Sequence, residues 1–551
     1  MKEITFKTTP FHHQYEAYMR FRDAEYFALL FEMGTGKSKT AIDIAQYKYI
    51  NGMIDAVLII APNNVHTQWV KEQFPAHCGI EYDIMVYNSS KLKNKFYSLR
   101  METFLTAKSD RLKVFAVNVE AFSTKTVEPY VGTYVKRNKT FIINDESTRI
   151  KNPSAQRSKR IHRLNKYGCR CNLTGTPATK SPFDLWSQYE FLHENYFGCN
   201  YFVFQHRFGV LMRDTNPHTG KPFNRTLNEQ TFEVVKKRLN HKKLERASKN
   251  QGAKLTDLDY EIIASLSGIS EKDARFIDSQ SVFSRYKNLD ALREQIAPVS
   301  MSIRKTDCFD LPDKIYVTLP VTMPKDQRKI YNNLKEELRA TYQNVELTVV
   351  NKLTLTLRLQ QVVGGFFPYN DDGTKATKAK PIGEDNVKIQ ALLDDLEEVD
   401  FEATKVIVWA CFVPELEALY KELSKQYNCC LYYGAVDTVK RDEIKEDFQA
   451  GKYDIFIGNT ATAGFGLNLQ NATLQYFYSN NFRVEARLQA EDRSHRYGVK
   501  QACVFKDITM KNSVDDKILK AIREGKDLNE YFKDTSINEI LAEANDDDED
   551  Y

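Results

Sequence analysis

The chain has 551 residues and a formal net charge of +4, from 78 lysines and arginines against 74 aspartates and glutamates. This length predicts several domain-sized units with substantial cores, and apolar runs such as Ala56–Ala61 are far shorter than the roughly 18 residues of a membrane span. The first residues lack a secretory apolar core, so we expect a cytoplasmic protein with no membrane partner.

The first informative element in chain order is a loop between a predicted strand and a predicted helix. Residues 27–31 form a short apolar run typical of a buried strand, and helical spacing begins soon after the loop. In the loop, Gly34 and Gly36 allow the backbone to approach a phosphate. Lys37 can reach phosphate oxygens, and the Ser38 hydroxyl is a suitable magnesium ligand. The pattern indicates a loop that binds the phosphates of ATP; a glycine-rich loop that only turns the chain is the alternative.

An acidic pair follows the predicted strand at residues 140–144. Asp145 and Glu146 would lie at the end of this strand, where one carboxylate can hold Mg²⁺, typically through water. The other carboxylate can orient or deprotonate an attacking water. A solvated turn is the alternative interpretation of the dipeptide. The order of the two motifs, each after an apolar run, favours a nucleotide-binding α/β sheet.

Two arginines near the end of the chain complete the candidate chemistry. Arg493 and Arg496 are three residues apart, which predicts one shared helical face. Brought to a γ-phosphate, two guanidinium groups would stabilise transition-state charge as arginine fingers do. Because the loop and the arginines lie in opposite halves of the chain, we expect a site assembled from both halves with ATP between them. The alternative is a solvated basic helix whose acidic neighbours pair with the arginines.

Further strings occur in the same order, and together they resemble superfamily 2 helicase-type motors, specifically the Swi/Snf family of double-stranded-DNA translocases. The strings that resemble motifs I, Ia, II, III, IV, V and VI are residues 32–38, 58–72, 145–152, 173–177, 405–409, 460–469 and 489–496. Phe31 replaces the first glycine of the strict phosphate loop, a departure that the family shares. The resemblance implies an α/β fold with two RecA-like parallel-sheet lobes in tandem and helical insertions.

The resemblance also implies roles for individual residues. Gln14 would read adenine, and the other ATP ligands would be Gly34, Thr35, Gly36, Lys37, Ser38, Gly466, Arg493 and Arg496. Ser38 and Asp145 would hold Mg²⁺, and catalysis would involve Lys37, Asp145, Glu146, Gln489, Arg493 and Arg496. DNA would contact Pro62, Asn63, Trp69, Lys151 and Thr460, while Thr148, Thr174, Gly175 and Thr176 would couple ATP state to movement. Thr148 stands where the family has a histidine.

A basic stretch lies in the middle of the chain. Residues 205–254 contain 12 lysines and arginines against 4 aspartates and glutamates. Such an excess can follow a phosphate backbone, so we predict DNA contacts at Lys236, Lys237 and Lys242, with Arg238 and Lys243 beside them. A solvated helical face is the alternative.

The motifs divide the chain into seven predicted segments. They are an ATP-binding lobe (1–194), a helical basic insertion (195–300), a linker with the start of the second lobe (301–335), a helical protrusion (336–390), the second lobe (391–512), a closing helix (513–538) and a disordered acidic tail (539–551). The closing helix resembles the brace that runs back to the first lobe in the family, and core packing explains it equally well. Nine scattered cysteines indicate free thiols, not a disulfide framework.

These features predict an ATP-dependent translocase that moves along double-stranded DNA without reading its sequence, with ATP and Mg²⁺ as cofactors. One alternative is a remodeller of forked or branched DNA that anneals strands or migrates branches. Another is an ATP-switched DNA clamp with little turnover, which the Ser147-Thr148 sequence favours. A protein partner would bind the insertion or the acidic tail. The compact organisation suits a bacterial or bacteriophage protein.

Overall fold

The computed structural model describes residues 1–63, 65–175, 181–215, 222–249, 253–280, 283–342, 349–370, 377–383, 385–460 and 467–525. These residues belong to two compact units, Met1–Arg304 and Lys305–Tyr551. The boundary falls inside the segment predicted as a linker.

The first unit is built on a parallel sheet. Its described strands are β1 (Tyr26–Phe31), β2 (Ala56–Ala61), β3 (Tyr82–Val86), β4 (Leu112–Asn118), β5 (Thr140–Asp145), β6 (Cys169–Leu173), β7 (Leu211–Thr215), β8 (Pro222–Thr226) and β9 (Ser300–Ile303). Seven of them form one sheet in the order β3-β4-β2-β5-β6-β1-β9. Each pairing between neighbours in this sheet is parallel.

Helices cover both faces of this sheet, which explains why its central strands are apolar throughout. The described α-helices of the unit are α1 (His12–Phe21), α2 (Lys37–Ile50), α3 (Val65–Gln68), α4 (Phe74–His77), α5 (Lys95–Thr106), α6 (Glu128–Arg137), α7 (Gln156–His162), α8 (Asp184–Leu192), α9 (Tyr201–Phe208), α10 (Glu229–Ser248), α11 (Asp257–Ser267), α12 (Glu271–Ser279) and α13 (Leu289–Ile296). Successive strand residues point to opposite faces. Leu58 and Ile60 of β2 therefore pack in one core, and Val57 and Ile59 pack in the other.

The segment predicted as a helical insertion contains helices α9–α13, and it also contains strands. β7 and β8 form an antiparallel hairpin, which helical spacing did not predict. Val210, Phe232 and Ile277 belong to a separate hydrophobic core of this segment. The helical prediction for 195–300 is therefore corrected to a mixed α/β insertion.

The second unit has a parallel sheet of its own. Its described strands are β10 (Lys314–Val321), β11 (Phe366–Asn370), β12 (Thr377–Pro381), β13 (Val406–Trp409), β14 (Cys429–Tyr432), β15 (Ile455–Gly458), β16 (Leu474–Phe477) and β17 (Cys503–Met510). Six form the sheet β10-β17-β16-β13-β15-β14, with parallel pairing throughout. Two parallel-sheet lobes in tandem were predicted, and the two sheets confirm that fold class. The predicted linker supplies a strand to each sheet, since β9 pairs with β1 and β10 pairs with β17.

The described α-helices of the second unit are α14 (Lys305–Cys308), α15 (Lys325–Tyr342), α16 (Val349–Val363), α17 (Val387–Leu396), α18 (Val413–Leu423), α19 (Thr438–Gln449), α20 (Val484–Glu491) and α21 (Val514–Arg523). The predicted helical protrusion contains the end of α15, all of α16 and an antiparallel β11–β12 hairpin, which is a further correction. In the predicted closing helix, Val514, Ile518 and Ala521 of α21 pack into the core of the second unit. The predicted acidic tail lies outside the described residues.

Two global properties concern the described part of the chain. No helix there is both long enough and apolar enough to cross a membrane. All nine cysteines lie in that part, and none of them forms a disulfide.

One glycine in the first unit provides a test of the sheet geometry. Gly168 precedes β6 with φ +54°, and a Cβ atom there would lie 1.8 Å from the Thr140 carbonyl oxygen. Gly168→Ala should therefore lower the free energy of unfolding by about 2 kcal/mol or more. The matched control is Gly132→Ala in α6, where a Cβ meets nothing within 4 Å. It should raise stability by about 0.5–1 kcal/mol, because alanine favours a helix interior. Urea unfolding measures both, and equal effects would contradict the structure.

Candidate functional site

Four neighbouring strand ends of the first unit bring the predicted motifs together. β2, β5, β6 and β1 are adjacent and parallel, so their carboxyl ends meet at one edge of the sheet. Pro62 and Asn63 follow β2, Asp145 ends β5, and Thr174 follows β6. The phosphate-loop sequence follows β1 and leads into α2. Open α/β sheets bind ligands at this edge.

The loop after β1 has the backbone that its glycines predict. Gly34 and Gly36 adopt φ values of +82° and +87°, which side-chain-bearing residues rarely accept. α2 begins at Lys37, so the amino end of a helix, which favours anions, adjoins the loop. The Lys37 ammonium donates to the carbonyl oxygens of Phe31 at 2.8 Å and Glu32 at 3.4 Å. These contacts hold the amino group at the loop, where a phosphate would replace them as its partner.

Two side chains of α1 hold the loop from outside. Gln14 Nε2 donates to the Thr35 carbonyl oxygen at 3.1 Å, and His13 Nε2 lies 2.8 Å from the same oxygen. A Cβ at Gly36 would lie 2.0 Å from Gln14 Nε2, so any side chain there would displace the Gln14 amide and would also be strained at φ +87°. His13 was not predicted as a site residue from the sequence. The only sequence feature that could have indicated it is its position next to Gln14. The amide of Gln14 is buried, and its contact with adenine remains a prediction.

Asp145 lies at the end of β5 and is 5% exposed. The Trp69 indole N–H donates to its Oδ2 at 2.8 Å, and the Glu146 backbone N–H donates to its Oδ1 at 3.0 Å. Burial raises the pKa of Asp145 above its usual value, while the Trp69 hydrogen bond and the nearby positive charge of Lys37 oppose that rise. A buried carboxylate beside Lys37 is not a solvated turn, so that alternative is wrong. Its oxygens fit the preference of Mg²⁺.

The predicted DNA contact at Trp69 is also wrong in this structure. Its side chain is 1% exposed, and its indole N–H donates a hydrogen bond to Asp145. The signal in the sequence was its place in motif Ia, which does not reveal that the ring points into the core.

The backbone after Asp145 is strained and is held by buried polar groups. Glu146 adopts φ +50°, a left-handed conformation that is uncommon for a residue with a side chain. The Ser147 hydroxyl donates to Gln188 Oε1 at 2.7 Å, which connects the acidic motif to α8. Thr148 is also buried. The Ser147 hydrogen bond thus anchors the turn that contains Thr148.

The motif after β6 touches the phosphate loop through its backbone. The Thr174 N–H donates to the Leu29 carbonyl at 3.1 Å. A Cβ at Gly175 would lie 3.3 Å from the Phe31 carbonyl oxygen and 3.4 Å from the Met33 nitrogen. The two segments are therefore closely packed, and the coupling roles of Thr174 and Gly175 stay predictions. Thr176 lies outside the described residues.

The other predicted DNA contacts of the first lobe differ in exposure. Asn63 is exposed, and its N–H donates to Glu120 Oε2 at 3.2 Å. Pro62 is buried. Lys151 forms an ion pair with Asp184 at 3.5 Å. Asn63 is the member of this group best placed to meet an external ligand.

Most cations predicted on the basic helix α10 are paired within the insertion. Lys236 Nζ donates to the carbonyl oxygens of Ile277 at 3.1 Å, Asp278 at 3.0 Å and Gln280 at 2.5 Å, at the carboxyl end of α12. Lys242 lies 2.9 Å from Glu245 and 3.9 Å from Asp259. The predicted DNA contact of Lys236 is therefore corrected to a structural role, because three carbonyl oxygens already accept from its ammonium group. Lys242 lies in a partly exposed ion pair, and its DNA contact stays a prediction.

The other basic residues of α10 that were predicted to contact DNA differ in their partners and in their exposure. Lys243 pairs with Asp278 at 2.5 Å, and Arg238 donates to Ser267 Oγ at 2.8 Å. Lys237 is exposed and remains a predicted DNA contact.

In the second unit, the strands β13, β15 and β16 are adjacent, and the predicted motifs again follow their carboxyl ends. Thr460 follows β15 and is buried. Gln489 lies in α20, where its Nε2 donates to Glu485 Oε1 at 3.2 Å. Gly466 lies outside the described residues.

The arginine pair does not share a helical face, because α20 ends at Glu491. Arg493 is 3% exposed, and its Nη1 lies 3.3 Å from the Leu467 carbonyl oxygen. Arg496 Nε donates to the Asp492 carbonyl at 2.8 Å. The prediction of one helical face is wrong, and so is its alternative of a solvated basic helix. These residues follow the helix as an irregular segment.

Arg487, which the sequence did not single out, anchors α20. Its Nε donates to Glu491 Oε1 at 2.8 Å and its Nη1 donates to Asp507 Oδ1 at 2.5 Å. Its guanidinium carbon lies 3.4 Å from the centre of the Phe477 ring. Glu491 also accepts hydrogen bonds from Lys314 and Tyr316 at the sheet edge. This network fixes the helix that leads to Arg493 and Arg496.

Removal of Arg487 tests this network. Arg487→Met should lower the free energy of unfolding of the second unit by about 3–5 kcal/mol, because Asp507 and Glu491 lose a buried partner. The control is Arg293→Met, whose pair with Asp290 has side chains 74% and 89% exposed. That control should change stability by less than about 1 kcal/mol. Denaturant unfolding followed by circular dichroism compares them, and a small effect at Arg487 would contradict its anchoring role.

Comparison with known proteins gives two family matches. The family model described as SNF2-related domain matches residues 22–364, and the helicase conserved C-terminal domain matches residues 388–498. The chain is 21% identical to a protein named "uncharacterized ATP-dependent helicase" from Mycoplasma genitalium, covering 93% of this chain and 41% of that protein. It is also 21% identical to the "ATP-dependent helicase FUN30" of Saccharomyces cerevisiae, covering 93% of this chain and 45% of that protein.

The chain thus spans less than half the length of these two relatives. Among solved structures, the SWI2/SNF2 ATPase core of Sulfolobus solfataricus in complex with dsDNA is 18% identical, with 99% of each chain covered and a TM-score of 0.37. That score is too low to support an argument. The match of the SNF2-related model over more than half of the sequence decides the classification: the chain belongs to the SNF2-related, superfamily 2 Swi/Snf family of helicase-type proteins.

Proposed function

We propose that this chain is a DNA-dependent ATPase that translocates along double-stranded DNA without reading its sequence. The observation that carries the proposal is the shared edge of β1, β6 and β5, where the phosphate loop, the Gly175 backbone and the buried Asp145 carboxylate meet. Membership of the SNF2-related family and the helicase names of two relatives support ATP as the nucleotide.

In the first unit, different residues would bind the phosphates of ATP and the metal. Lys37 leaves its carbonyl partners and binds the β and γ oxygens of ATP, next to loop N–H groups. Ser38 and Asp145 would hold Mg²⁺, which supplies charge neutralisation between the phosphates when it is bound. Among the described residues, no group of three or more His, Cys, Asp or Glu side chains forms a metal cluster. Nucleotide oxygens and water would therefore complete the metal's coordination shell.

Glu146 orients and deprotonates the attacking water. Its left-handed backbone directly follows Asp145, and its N–H donates to the Asp145 carboxylate at 3.0 Å. Strain of this kind costs about 1–3 kcal/mol and persists where the surrounding structure imposes it, often at active sites. Burial of Ser147 and Thr148 supplies that constraint.

We expect Arg493 and Arg496 to bind the γ-phosphate in the transition state, as their motif implies. Arginine fingers contribute about 10³–10⁵ in rate in related phosphoryl transfers. Gln489 and the Arg487 network hold the segment that carries them.

DNA is gripped through its phosphates. Asn63 and Lys237 are exposed and Lys151 is partly exposed, so we expect these three residues to contribute phosphate contacts. Thr460 is buried and is not among them. Phosphate contacts position the duplex but carry no sequence information, and each one adds to the salt dependence of binding.

Substitution of the two central residues tests the assignment. Lys37→Ala and Glu146→Gln should each reduce the turnover of ATP by about a hundredfold or more, because each removes a group that acts on the reacting phosphate or water. Duplex binding, measured by fluorescence anisotropy, should survive. Lys91→Ala and Glu102→Gln alter exposed residues of the same types and should leave both readouts unchanged. Wild-type turnover in Lys37→Ala or Glu146→Gln would reject the role of that residue.

A panel of nucleic acids separates the candidate functions. Duplex DNA should stimulate ATP turnover more than single-stranded DNA or RNA, and a triplex-displacement assay should report movement without strand separation. Preferential stimulation by forks, with branch migration, would instead identify a remodeller. The Ser147-Thr148 sequence, with Thr148 in place of the family histidine, favours the ATP-switched clamp as the second candidate. Tight ATP-dependent DNA binding with no stimulated turnover would establish the clamp and overturn the motor.

A further inference from the structure

Trp69 has a contact that its place in motif Ia does not explain. Its indole is 1% exposed, and its N–H donates to Asp145 Oδ2 at 2.8 Å. The residue begins a five-residue π-helical segment, Trp69–Gln73, between α3 and α4. π-helical turns are rare and frequently occur at functional sites.

The contact defines the orientation of the Asp145 carboxylate. Oδ2 accepts from the indole, and Oδ1 accepts from the Glu146 N–H at 3.0 Å. Two donors on the two oxygens restrain the side-chain torsions, and each oxygen keeps a further lone pair for another partner. A carboxylate held in this way needs little reordering when it meets a cation.

Plain core packing is a different explanation for a buried tryptophan. The ring does lie in the core, with the Phe74 ring centre 6.3 Å away. Phenylalanine would satisfy that requirement, but it has no N–H to donate to Asp145. The hydrogen bond, not the ring volume, is therefore the feature to test.

We infer that Trp69 is a positioning residue for the proposed nucleotide site, because its indole N–H fixes the Asp145 carboxylate in the orientation that receives the metal–nucleotide complex. The inference rests on the proposed function, since it assigns no separate ligand. Partners of metal ligands commonly affect metal affinity by about 10–100-fold when they are removed. It also connects the helical segment after Asn63 with the acidic motif.

The first experiment leaves Trp69 intact and uses it as a reporter. The chain has three tryptophans, so Trp186→Phe with Trp409→Phe makes Trp69 the sole indole. Titration with ADP and Mg²⁺ should change its emission more than titration with ADP and EDTA, because a cation at Asp145 alters the partner of the indole. Binding of a methylanthraniloyl-labelled ADP is measured in parallel. If labelled nucleotide binds but the emission of Trp69 is the same with Mg²⁺ as with EDTA, the inference is overturned.

The second experiment removes only the N–H group. Trp69→Phe should raise the Mg²⁺ concentration for half-maximal binding of labelled ATP by about tenfold. Affinity for labelled ATP in EDTA should stay unchanged, which a general loss of packing would not produce. Trp409→Phe is the matched control: Trp409 is equally buried and donates to Gln475 Oε1 at 2.6 Å in the second unit. Trp186→Phe removes a hydrogen bond to the Cys199 carbonyl within the first unit.

The outcomes separate the two claims. Failure of the wild-type chain to bind labelled ATP would reject the proposed function itself. Normal binding by the wild type, with the same Mg²⁺ dependence in Trp69→Phe and in both controls, would reject the positioning role alone. Thermal unfolding identifies a Trp69→Phe chain that does not fold, and in that case the emission experiment decides.

Discussion

Parallel pairing of β2, β5, β6 and β1 is the constraint on which the candidate site depends. Since all four strands run the same way, the segments that follow them must emerge at one edge. Side chains that are distant in sequence then become neighbours without any contact specific to ligand binding. Two glycines allow close packing at this edge of the sheet: Gly36 lies against Gln14, and Gly175 lies against the backbone of the phosphate loop.

Buried charge is a second organising feature, and it acts differently in the two units. In the first unit, Asp145 is buried near the positive charge of Lys37, and its two oxygens accept N–H donors from Trp69 and Glu146. In the second unit, Arg487 and its carboxylate partners satisfy one another completely enough to act as a structural anchor. Breaking a buried ion pair is costly because one charge is left without a partner, so such groups hold their elements firmly.

The insertion shows that a charge excess in sequence is not the same as a charged surface. Lys236 occupies the carboxyl end of α12, where three carbonyl oxygens accept from it. Cations stabilise that end of a helix because the unpaired carbonyl groups carry partial negative charge. Much of the basic character of α10 therefore serves the folding of the insertion, whereas Lys237 is exposed and stays a predicted DNA contact.

The sequence by itself determined the elements that depend on local chemistry. Glycines at Gly34 and Gly36 indicate a loop with positive φ, apolar runs predict buried parallel strands, and motif order predicts two lobes in tandem. Only the tertiary structure decided which side chains meet. Trp69 and Asp145 are 76 residues apart in the sequence. No local sequence pattern shows that the Trp69 ring points into the core. The same limit explains the arginines: their spacing suggested a helix, but α20 ends before them and its position is set by contacts of Arg487 with other strands. Sequence spacing indicates which secondary structure a segment can form by itself. The burial of its side chains and the partners that they contact depend on the other segments that pack against it.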